Sequence, residues 1–144
     1  MRKFLFFALA LVAGVLAFTS CDKKDKIDSP LVGTWFAADE AQDYYYTFGA
    51  DGTYHRIEDY FMNGRDVVAH EHIVGKGTYT VNGDIVTAKI QSIKVYMDGS
   101  DQGDPFDEFW PSEEQMKFKV EGNKLTLTHE VGTEYEWEQT LTKK

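Results

Sequence analysis

Thr78-Tyr79-Thr80-Val81-Asn82-Gly83-Asp84-Ile85-Val86-Thr87 is the stretch on which the fold turns. β-Branched and aromatic residues flank Asn82-Gly83, the residue pair that a type I′ hairpin turn prefers because both of its central positions take positive φ. The same pattern repeats outward. Gly122-Asn123 and Asn63-Gly64 each separate two further segments, and Ala50-Asp51-Gly52 makes a turn after Phe48. Between turns the apolar residues alternate. Met116, Phe118 and Val120 interleave with Gln115, Lys117 and Lys119, and Leu125 and Leu127 with Thr126 and Thr128. Tyr135, Trp137, Gln139 and Leu141 interleave with Glu134, Glu136, Glu138 and Thr140. That is period two, the spacing of a half-buried strand, and no long run beyond Pro30 has helical spacing. Strands are predicted over 32–37, 43–48, 53–61, 66–74, 77–81, 84–91, 93–97, 115–121, 124–130 and 134–142.

The chain has 144 residues, enough for one domain with a core, and its 15% aromatic content favours strands. Sequential hairpins without crossover helices make an antiparallel meander. Eight to ten such strands close into an up-and-down β-barrel, which removes exposed edges; a β-sandwich is the alternative. Leu31-Val32-Gly33-Thr34-Trp35, at the first strand, resembles the G-x-W signature of lipocalins. Thr47-Phe48-Gly49-Ala50-Asp51-Gly52-Thr53-Tyr54 and Gly77-Thr78-Tyr79-Thr80-Val81 resemble later landmarks of the lipocalin-like domains of bacterial envelope lipoproteins. The resemblance spans roughly Pro30 to Lys144 and implies a barrel that binds a small hydrophobic or amphipathic molecule. The lipocalin T-D-Y motif is absent, and Lys143 stands where an arginine would stack over Trp35.

The N-terminus reads as an address. Met1-Arg2-Lys3 precedes 15 uncharged, mostly apolar residues, Phe4 to Phe18, too short for a bilayer span of about 20 residues but suited to a secretory h-region. Phe18-Thr19-Ser20-Cys21 resembles a bacterial lipobox, and Cys21 is the only cysteine. A lone cysteine in an exported chain has no intramolecular disulfide partner. The resemblance implies signal peptide 1–20, acylation of Cys21 with palmitate-class chains, a flexible tether over 21–29 and a barrel over 30–144. The expected place is a bacterial membrane surface, the outer membrane favoured over the inner. The formal net charge of -9 without a basic run excludes nucleic acid as a partner.

Three constellations carry candidate chemistry. If Asn63-Gly64 is a two-residue turn, His55 faces His72 and Ile57 faces His70, which places His55, His70 and His72 on one face within reach of a zinc ion. The same register sets Arg56 against Glu71. The plainer reading is three histidines on a solvated face with no acids to orient their rings. The long loop over 98–113 carries Phe106, Phe109 and Trp110, candidates for ligand contact or for a plug. Its acids at spacing three lack the EF-hand order, and Asp104-Pro105 suits the start of a short helix instead. Tyr44 and Tyr46 share a face with Phe48 as core or cavity wall, or as a sugar-stacking platform. There is no G-x-S-x-G, P-loop or H-E-x-x-H, so an enzyme is not expected. Two functions remain: small-ligand binding, or a non-catalytic accessory lipoprotein contacting an envelope protein or glycan. A hollow interior of about 300 Å³ or more favours the first, and a filled one the second.

Overall fold

The computed structural model describes residues 25–65, 68–103 and 111–144. They form nine strands: β1 (Gly33–Ala38), β2 (Gln42–Phe48), β3 (Thr53–Tyr60), β4 (Glu71–Asn82), β5 (Ile85–Met97), β6 (Ser100–Asp101), β7 (Glu113–Glu121), β8 (Lys124–His129) and β9 (Trp137–Lys143). Among the described residues there is no helix. Each long strand pairs antiparallel with its neighbour in sequence, and β9 returns to β1 through Trp35↔Lys143 and Phe36↔Thr142. Eight strands therefore close a ring, and the two-residue β6 adds to the end of β5. One continuous ring, not two facing sheets, makes this a barrel and rules out the sandwich.

The opening hairpin forms, one residue later than the Asn82-Gly83 rule puts it. Asn82 pairs with Ile85, so the turn residues are Gly83 and Asp84, with Gly83 at φ 63°. Glycine takes the first central position, as a type II′ turn requires. The shift sets Val86 opposite Val81 and keeps Asp84 out of the apolar face.

Ten predicted strands become eight long ones. β4 runs unbroken through Gly75 and Gly77, which had suggested a break because they contribute no side chain to the alternation. β5 likewise joins two predicted strands. Its buried positions switch from Val86, Ala88 and Ile90 to Ile93 and Val95, and the register shifts at the same point against Lys76/Gly77. A β-bulge inserts one residue and turns the pattern over. A Cβ on Gly77 would lie 1.8 Å from the Lys89 carbonyl oxygen, so the close approach there requires glycine.

Trp35 closes one end of the core. It is fully buried, its Nε1–H donates to the Leu31 carbonyl at 2.7 Å, and Lys143 Nζ lies 5.2 Å from its ring centre. The lysine thus takes the stacking place expected of it. Ile27, in the expected tether, donates its N–H to the Ala50 carbonyl at 2.7 Å and packs against the core.

Candidate functional site

Large side chains occupy the barrel interior. Trp35, Tyr46, Phe48, Tyr54, Ile93, Met116, Leu125, Leu127 and Leu141 are all completely buried. Among them runs a chain of charged groups that period two did not reveal. Arg56 on β3 donates from Nε to Glu58 at 2.7 Å and from Nη1 to Glu114 on β7 at 3.1 Å. Glu58 also accepts from the Tyr60 hydroxyl at 2.8 Å. Glu114 accepts from His129 Nδ1 at 2.7 Å, and Trp137 covers the His129 ring in a stack 4.0 Å between centres. A carboxylate only accepts, so His129 Nδ1 carries a hydrogen in this contact.

Burial alone would depress the Arg56 guanidinium, but Tyr46, Tyr54, Glu58 and Glu114 raise it further than burial lowers it, so it stays charged. Burial pushes the Glu114 carboxyl up. The hydrogen bond from His129 and the Arg56 charge outweigh that, and it rests below the ordinary carboxylate value. Tyr46 and Tyr54 are raised chiefly by burial. Their hydroxyls, with His129 Nε2 and Gln139 Oε1, have no protein hydrogen-bond partner among the described residues. Each such group costs about 1–3 kcal/mol to bury dry, so this interior is held together by its ion pairs at some expense.

Among the described residues, a large concavity lies outside the barrel. A groove of about 820 Å³ runs over the outward faces of β3, β4 and β5 and is bounded by Phe61, Val68 and Ala69 of the β3–β4 connection. The strand pairings order its floor as Lys76 beside Ser92, then Val74 beside Lys94, then His72 beside Tyr96. Phe61, Val68 and Ala69 wall the Tyr96 end. Asp59 pairs with His72 Nδ1, and the His72 and Tyr96 rings lie 5.6 Å apart. Asp59, His72 and Ser92 all line the groove, but Ser92 pairs with Lys76, four residues along β4 from His72. That separation is about 13 Å, so serine and imidazole do not form a nucleophile–base pair.

The predicted site residues fall as follows. The β3–β4 register differs from the two-residue-turn expectation by four: His55 faces Lys76, His72 faces Asp59, and Arg56 faces Gly75 instead of Glu71. The physical reason is that Asn63-Gly64 lies inside a ten-residue connection, 61–70, and does not itself join the strands. His70 sits in that connection and contacts Asp98 Oδ1 at 2.9 Å. The three histidines therefore do not converge, and no group of three or more metal-ligating side chains assembles among the described residues. Tyr46 is fully buried core, and Tyr44 is half-buried with its hydroxyl on Gln42. Cys21, Phe106, Phe109 and Trp110, and the helix expected after Asp104, lie outside the described residues.

The interior charges were missed because Arg56 was set against Glu71 across the strands, which gave no expectation of a buried ion cluster; His129 was legible, being two residues beyond Leu127 in a buried alternation. The outer groove had no sequence signal, since three strands and a connection build it jointly. Comparison with protein-family models and with curated proteins finds no match to this chain.

Proposed function

We propose that this chain is a lipid-anchored protein of the bacterial cell envelope, attached through Cys21, whose lipocalin-like barrel binds a small amphipathic molecule in the outer groove of β3, β4 and β5. The observation that carries the reading is the groove: about 820 Å³ falls within the 300–1,000 Å³ of small-ligand sites, and its lining is part apolar, part polar. Large side chains such as Trp35, Tyr46 and Tyr54 are buried in the interior, which favours a ligand on the outer face. Native mass spectrometry of the full chain released from detergent tests this. A co-purified small molecule that is lost when Val74 and Tyr96 are changed to glutamate supports the reading; a bare chain that also fails to take up amphiphiles on titration sinks it.

The exposed aromatic end of β9 favours a second reading, an accessory protein that contacts an envelope partner. Tyr135 and Trp137 are exposed at one end of β9, 68% and 45% respectively, and offer aromatic contact area. Crosslinking from position 135 in intact cells would capture a protein under that reading and none under the first.

A further inference from the structure

We infer that the groove selects an anion: its ligand carries a carboxylate or similar acidic head at the Lys76–Lys94 end and an apolar body toward Tyr96. This rests on the small-ligand reading above and specifies the chemical class. Three observations carry it. First, Lys76 and Lys94 lie on the same outward face as diagonal neighbours across β4 and β5, and both line the groove. Second, neither forms an ion pair among the described residues; Lys26, Lys124, Lys143 and Lys144 share that trait, but none of them lines this groove, whereas Lys89, Lys117 and Lys119 each reach a carboxylate within 4 Å. In a chain of formal charge -9, two lysines left without an acid in a concavity form a local positive site. Third, the one carboxylate among the described lining residues is committed elsewhere. Asp59 is held by His72 at the far end, leaving it no part in neutralising the lysines.

The gradient along the groove then sets orientation. Lys76, Ser92 and Lys94 give donors to an acidic head, and Val74, Tyr96, Phe61 and Val68 give apolar surface beyond it. His55, opposite Lys76, stands at the cationic end. A bilayer surface is the less suitable occupant, because the overall negative charge repels anionic head groups.

The test uses decanoate and its neutral isostere decanamide, titrated calorimetrically into the full chain in nanodiscs of zwitterionic lipid, with empty nanodiscs subtracted. Decanoate is expected to bind at least about tenfold more tightly than decanamide, and less tightly as salt rises. The double variant Lys76→Gln/Lys94→Gln should bring decanoate down to the decanamide level and leave decanamide unchanged. Both positions are exposed, so the barrel should fold normally, which circular dichroism checks. Equal binding of the two probes, or decanoate binding indifferent to the double variant, overturns the anion assignment while leaving the groove as a ligand site. Binding of neither probe overturns both.

Discussion

Arg56 and Glu58 point from β3 into the barrel, while Asp59 leaves the same strand outward to meet His72 across β4. The inward charges are committed to one another: guanidinium to two carboxylates, and carboxylate to imidazole. The outward face ends in Lys76 and Lys94, which have no such commitment among the described residues. Solvent accounts for the difference. A charge inside a barrel must find a partner because desolvation costs several kcal/mol per ion, and a charge outside is already hydrated. Committed charges hold a structure together; uncommitted ones are available to a ligand. The interior of this barrel therefore reads as architecture, and its outer wall carries the free charges that the proposed ligand would meet.

The comparison breaks most easily at Arg56. Arg56→Met leaves Glu58 and Glu114 buried without their cation and should cost about 3–5 kcal/mol in urea unfolding. That is a large part of the stability of a domain this size. Arg56→Met/Glu58→Leu/Glu114→Leu should recover most of the loss if the chain is purely structural, since apolar replacement of a whole buried ion cluster is often neutral or better. If the triple variant stays as unstable as the single one, the interior does more than hold the fold.

Acid titration sharpens the same contrast. Glu114 has its folded pKa below the unfolded value, so its contribution is complete above the unfolded carboxylate value, about 4.3, and is lost as pH falls through the folded one. Glu114→Gln should therefore flatten the acid limb of the stability curve while changing its slope little near neutrality. An unchanged acid limb would mean that another carboxylate sets acid sensitivity. The smallest effect is expected outside: Lys94→Gln should shift unfolding stability by less than about 0.5 kcal/mol, as surface substitutions do. A cost above 1 kcal/mol would show that Lys94 is structural and not free for a ligand.

Much of the fold was legible. Gly83 and Gly122 mark two of the two-residue hairpins, and Leu125, Leu127 and Met116 announce the inward faces of β8 and β7. Less legible was continuity. The bulge against Lys76/Gly77 reverses the alternation in β5, and a reversed alternation reads in sequence like the end of a strand. The candidate site was hardly legible at all. The histidine register depended on Asn63-Gly64 being the whole connection, whereas ten residues separate β3 from β4.

By itself, then, the sequence determined an all-β antiparallel domain, the places of most turns and the buried side of most strands. Those are local properties: a turn needs its own glycine, and alternation survives within a single strand. Only the tertiary structure decided which residue faces which across β3 and β4, that eight strands close on Trp35 and Lys143, that Arg56 gathers Glu58 and Glu114 inside, and that a groove opens outside. Sliding two strands past each other by two residues preserves every alternation, so periodicity cannot choose among such registers. Closure of the ring and pairing of buried charges make that choice, and both are properties of the whole barrel.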